Sequence, residues 1–143
     1  CNLSIPKKSS FNQDDLKQLD NFKNNFDKLI GYIDNQDLNS YMNFIIESLF
    51  AANKYFNDQE PWKKKSDLPR LNTIVYVSLE IIRKISIMLY PIIPSSSLKA
   101  LKIFNIKEKD INFDSIKNHN QLIVNNKINK IDILFKKIDN KND

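Results

Sequence analysis

From Leu16 onward, apolar residues return at steps of three and four: Leu16, Leu19, Phe22, Phe26, Leu29, Ile30 and Ile33. That is one face of an amphipathic helix and predicts a helix over roughly 13–33. Ser10 and Gln13 stand at capping-box spacing just before it, with Asn12 as a competing cap. Asp34 to Asp37 is polar and reads as a turn. Leu38, Tyr41, Met42, Ile45, Leu49, Ala52 and Phe56 then predict the inner face of a second helix, roughly 37–56. So short a connection implies that the two helices pack antiparallel. Ala51 and Ala52 are small enough to let a third helix approach.

Residues 57–67 read as a polar connection containing Pro61-Trp62 and the run Lys63-Lys64-Lys65. Pro69 suits the first turn of a third helix, about 69–90. Apolar residues surround that helix, from Leu71, Ile74 and Val75 to Met88 and Leu89, as expected for the central helix of a bundle. Pro91 and Pro94 end it, and Ser95 to Ser97 offer caps for a short helix over about 96–104. Leu122-Ile123-Val124 and Ile131 to Phe135 read as two short extended segments or one ragged tail. The expected organisation is a lead-in over 1–12, one helical domain over 13–139 and a disordered tail over 140–143. The fold class is all-α: an antiparallel helix bundle with a short irregular or extended C-terminal tail.

The 143 residues suffice for one domain with a real core. A net charge of +5 permits a phosphate-bearing partner without demanding one. Ile, Lys and Asn abound while Arg70 and Arg83 are the only arginines, a bias that follows from A/T-rich codons. One cysteine, Cys1, and one histidine, His119, exclude an internal disulfide and a Cys/His metal cluster, which fits a reducing cytoplasm. The apolar run from Ile85 to Ile93 is interrupted by Ser86, Tyr90 and Pro91 and is no membrane span. The chain begins at Cys rather than Met, so it is expected to be a piece of something longer.

No catalytic constellation is present. His119 lies in a polar stretch without a nucleophile and reads as a surface residue. A single glycine rules out a glycine-rich phosphate loop. The acidic residues are scattered and expected mostly on outer faces. Trp62 stands apart: it either folds back to plug the edge of the bundle, or it is an exposed aromatic plate among cations on which a base stacks. Pro61 would stiffen that plate. Asn53 either satisfies groups near the end of its helix or shapes the corner and reads a base edge. Lys54, Lys63, Lys64, Lys65 and Arg70 would form a cationic rim or simply a solvated face.

The order Ala52-Asn53-Lys54-Tyr55, a gap, then Glu60-Pro61-Trp62 resembles the signature of the anticodon-binding domain of methionyl-tRNA synthetase. Arg70-Leu71-Asn72, Leu79-Glu80, Arg83 and Leu89-Tyr90-Pro91-Ile92-Ile93-Pro94 are similar to that family's next helix and its proline-bounded end. Ile133 to Ile138 is similar to its closing segment, so the resemblance covers most of 12–139. Lys64 stands where the family has an aliphatic residue, and Lys136-Lys137 where it has Pro-Arg.

The resemblance implies a helical domain that recognises the CAU anticodon of methionine tRNA, with Trp62 stacking on the first anticodon base and Pro61 setting its approach. It implies a parent enzyme joining methionine to its tRNA with ATP, in which the catalytic domain of the same chain carries the ATP site and a zinc-binding insert; the fragment itself would need no cofactor. An upstream helix with anticodon-contacting Asn and Arg is expected before Cys1. Two alternatives differ in class: the anticodon domain of another class I synthetase, and a helical protein-interaction module without an RNA role.

Overall fold

A computed structural model describes residues 4–124 and 126–128. The apolar runs expected over 131–138, the tail at 140–143 and Cys1 lie outside these described residues. Asn12, not Ser10, opens the first helix: its Oδ1 accepts from the Asp15 N–H at 2.9 Å, and Asp15 Oδ2 accepts from the Asn12 N–H at 3.0 Å. The single helix expected over 13–33 is two, α1 (Gln13–Asn24) and α2 (Phe26–Asp34). Asn25 separates them, with φ −102° and ψ 10°. Its side-chain amide donates to Asn21 O at 2.8 Å, a local bond that competes with helix continuation.

Helix α3 (Leu38–Gln59) starts at the Asp37 cap, whose Oδ1 accepts from the Ser40 N–H, and outlasts its expected end by three residues. Helix α4 (Leu68–Leu89) starts at the Asp67 cap, with Pro69 in its first turn. Helix α5 (Pro94–Ile103) begins two residues earlier than expected; Pro94 opens it and no serine caps it. No strand forms among the described residues. The extended reading of Leu122 to Val124 is not met, and only an isolated bridge joins Ser4 to Lys127.

Cross-helix bonds fix the helix directions. Tyr55 meets Asp15 and Asn21 meets Ser48, so α1 and α3 run antiparallel; the Tyr41 hydroxyl donates to Met88 O and Arg70 Nη2 to Gln59 Oε1, so α3 and α4 do too. Helix α4 is the central element, buried along most of its length between α1, α3, α5 and the segment 113–117. The lead-in is non-helical yet packed. Ile5 is buried with Tyr76, Phe104 and Leu122, and the Ser9 N–H donates to Thr73 Oγ1 at 2.8 Å.

One expectation about faces is corrected. The inner side of α3 is Tyr41, Ile45, Ser48 and Tyr55, whereas Leu38, Leu49 and Phe56 are exposed. The inward polar atoms all find partners inside, which removes the cost of burying them. The acidic residues lie mostly on outer faces, as expected; among the described residues Asp15 and Glu80 are the fully buried exceptions. Glu80 Oε2 accepts from Arg83 Nε and Nη2, and Glu80 Oε1 accepts from the Leu122 N–H. Arg83 donates to Ser115 O and Asn118 O, and Lys84 donates to Ile116 O and Asn118 O. His119 is not a free surface residue: it bonds Asp20 through Nε2 at 2.7 Å and faces Lys84 through Nδ1 at 3.3 Å. Charged groups of α4 thus hold the irregular segment after α5 onto the bundle.

Candidate nucleic-acid interface

The corner after α3 is built without glycine. Glu60 takes the left-handed conformation, φ 47° and ψ 58°, a position where glycine is favoured and another residue costs about 1–2 kcal/mol. The chain then turns through the short 3-10 segment Pro61–Lys63. Pro61 is buried, and its ring fixes φ just before Trp62. Trp62 is 51% exposed, with one side against Phe56 at a centroid distance of 6.4 Å and an interplanar angle of 59°. It is therefore a supported plate with an open side, not a plug in the core.

The rim residues divide into three kinds. Lys64 and Lys65 have no ion pair among the described residues. Lys54 pairs with Asp58 at 2.6 Å and Lys63 with Glu60 at 2.9 Å, both in exposed pairs of little energetic weight. Arg70 turns inward: its guanidinium grips buried Asp15 with two bonds, 2.7 and 2.9 Å, and donates to Gln59 Oε1 at 2.6 Å. It is a fixed internal partner rather than a free cation of the rim. Asn53 lies inside α3, exposed and six residues short of its end, so it does not cap the helix.

Sequence reasoning missed Asp15 as part of this corner and gave Tyr55, Phe56 and Gln59 no role in holding it. Asp15 accepts from Arg70, from the Tyr55 hydroxyl at 2.6 Å and from the Asn12 N–H. Burial alone pushes its carboxyl up, but those donors outweigh burial and hold it below the usual carboxylate range. Hydrogen bonding to Asp15 raises Arg70 in turn. The capping spacing of Asn12 and Asp15 was the sole sequence signal at Asp15, and it said nothing of a partner on α4. Helix α3 also exposes Ile46, Leu49 and Phe50, with Phe50 69% exposed. No group of His, Cys, Asp and Glu able to hold a metal ion occurs among the described residues. No described helix is long and apolar enough to cross a membrane.

The family model for the anticodon binding domain of methionyl tRNA ligase matches residues 5–143. The chain is 36% identical over 146 residues to a probable mitochondrial methionine–tRNA ligase of Dictyostelium discoideum, an alignment covering 94% of this chain and 25% of the relative. It is 33% identical over 107 residues to the methionine–tRNA ligase of Brucella suis, covering 74% of this chain and 21% of that one. The crystal structure of Mycobacterium tuberculosis methionyl-tRNA synthetase bound by methionyl-adenylate superposes with a TM-score of 0.84 at 23% identity, over 93% of this chain and 27% of that one. At that identity the superposition speaks for the fold. The chain spans about a fifth to a quarter of the length of these relatives. With a family match over nearly its whole length and the Pro61-Trp62 corner in place, the chain belongs to the family of anticodon-binding domains of methionyl-tRNA ligase.

Proposed function

We propose that this domain recognises the CAU anticodon loop of methionine tRNA within a methionine–tRNA ligase that joins methionine to its tRNA using ATP. The observation that carries the reading is Trp62: half-exposed, backed by Phe56, and beside Lys64 and Lys65, which hold no carboxylate among the described residues. Base stacking on an aromatic side chain is worth about 1–3 kcal/mol, and the first anticodon base is its proposed occupant. Lysines at the rim supply phosphate attraction that is independent of sequence. Asn53, exposed on α3 one turn before Phe56, is the proposed polar reader. Lys54 and Lys63 add cationic field without fixed geometry.

Chemistry lies elsewhere in the proposed ligase. ATP and zinc are assigned to its catalytic part, the proposed partner in the same chain, and no step at this corner passes through them. The proposed setting is the cytoplasm, with the domain holding the anticodon end while the acceptor end reaches the catalytic part. The exposed apolar stripe Ile46, Leu49, Phe50 on α3 supports a second reading of that face as a protein contact.

Trp62 is the sole tryptophan, so its emission reports the corner directly. Titration with a CAU anticodon stem-loop at low salt should quench it, and a loop altered at the first anticodon base should not. Equal quenching by both loops would reduce the site to a generic basic RNA surface. Emission that no RNA changes would favour the protein-contact reading.

A further inference from the structure

We propose that Asp15, Arg70 and Gln59 form a brace that fixes the loop carrying Trp62 for base stacking, so that Arg70 is a positioning residue and not a phosphate contact. The inference rests on the anticodon reading above and deepens it.

The loop leaves α3 at Gln59 and enters α4 just before Arg70. Arg70 Nη2 donates to Gln59 Oε1 at 2.6 Å, which ties the two ends of the loop to each other. The same guanidinium grips Asp15 on α1 through Nη1 and Nη2, at 2.7 and 2.9 Å. Gln59 Nε2 reaches back to Asp14 at 3.3 Å. Three helices therefore converge on one planar group. Two parallel bonds from a guanidinium to a carboxylate fix orientation as well as distance, which a single lysine contact cannot do. Between Gln59 and the indole stand only left-handed Glu60 and buried Pro61, both with restricted torsions. A rotation of the end of α3 thus passes into the ring with little slack. The Arg70 side chain is 18% exposed and its donors face inward, so it offers little to a phosphate.

Charge gives the test its sign. Asp15→Asn removes a buried negative charge next to the proposed RNA-binding corner, so simple electrostatics predicts tighter binding. A brace predicts weaker binding, because the bidentate grip is lost. The experiment takes the 143-residue chain and its Arg70→Lys, Asp15→Asn and Gln59→Leu variants. Time-resolved anisotropy of Trp62 without RNA reads the brace alone, and far-UV circular dichroism checks that each variant remains helical. Larger local motion of the indole is expected in all three. Gln59→Leu leaves the Asp15 pair intact and keeps the test open if the other two variants fold poorly.

Affinity for the CAU stem-loop should fall about tenfold or more in Arg70→Lys, as small misplacements of a positioned group do, with an unchanged dependence on salt. Asp15→Asn should weaken binding too. Unchanged Trp62 motion in the folded variants overturns the brace, as does tighter binding by Asp15→Asn. Failure of the unmodified chain to prefer CAU overturns the anticodon reading instead, and the anisotropy measured without RNA still decides the brace.

Discussion

The Tyr55 hydroxyl donates to Asp15 Oδ1 at 2.6 Å, joining residues 40 positions apart on α3 and α1. A carboxylate buried this fully is tolerated only because its oxygens are supplied with donors. Tyr55→Phe keeps the ring and deletes one donor. It should destabilise the fold by about 1.5–3 kcal/mol, the range for a hydrogen bond to a charged group. Urea unfolding should show a lower midpoint with an unchanged slope, because the exposed area does not change.

The same carboxylate predicts acid sensitivity. Asp15 titrates lower in the folded state than its ordinary value of 3.8, the donors from Arg70, Tyr55 and Asn12 having overcome the upward push of burial. Its contribution is present above the unfolded value and is lost as pH falls through the folded one. Urea midpoints should therefore drop steeply below about pH 4, and Asp15→Asn should flatten that drop.

What the chain discloses before folding is uneven, for physical reasons. Helices α4 and α5 are legible because Pro69, Pro91 and Pro94 punctuate them and because the apolar residues of α4 leave no polar face. The break at Asn25 is not legible, since Leu19 to Ile30 keep helical spacing across it while the Asn25 amide diverts one backbone bond locally. Trp62 stood out as the sole tryptophan beside lysines, so its place in the corner was readable. The inward turn of Arg70 was not, because its acceptor is 55 residues away on another helix. His119 and Lys84 were missed for the same reason: their partners come from α1 and from carbonyls of an irregular segment that has no periodicity.

Lys84 sets the behaviour at alkaline pH. Burial, and after it the neighbouring Arg83 charge, push its ammonium down to about 7, against the pull of Glu80 and Asp20. His119 Nδ1 and the Phe22 ring also face it. Between about 7 and the ordinary lysine value of 10.5 the unfolded chain binds more protons than the folded one, so stability should rise with pH across that window. Burial raises the hydroxyls of Tyr41, Tyr55 and Tyr76 beyond the ordinary tyrosine range. Above about pH 10 the unfolded tyrosines ionise first, and stability should fall again. Urea midpoints from pH 6 to 11 should thus pass through a maximum, and Lys84→Met should remove the rising limb.

Lys64 and Lys65 are the rim lysines without an ion pair among the described residues, while Lys54 and Lys63 already have carboxylate neighbours. Replacing both Lys64 and Lys65 by Gln should weaken CAU and control stem-loops alike. It should lower the slope of log affinity against log salt by about 1.4, which is about 0.7 for each single-stranded phosphate that a lysine no longer neutralises. An unchanged slope would place the phosphates elsewhere. Lys54→Gln, which frees Asp58 as it removes a cation, should weaken binding through overall field and leave base preference intact.

Helix α3 offers a comparison that needs no RNA. Ile45 is 1% exposed in the core, whereas Phe50, little more than one turn on, is 69% exposed. Ile45→Ala should cost about 2–5 kcal/mol, from lost burial and the cavity left behind. Phe50→Ala removes a larger side chain that packs against little, and should change stability by less than about 0.5 kcal/mol. The size of the deleted side chain alone ranks the two the other way, so the sign of the difference reports which face of α3 is inside. Urea unfolding of both variants at two protein concentrations measures it. A large cost at Phe50 that grows with concentration would mean that the stripe Ile46, Leu49 and Phe50 is covered by a second copy in solution, since only an intermolecular contact couples stability to concentration.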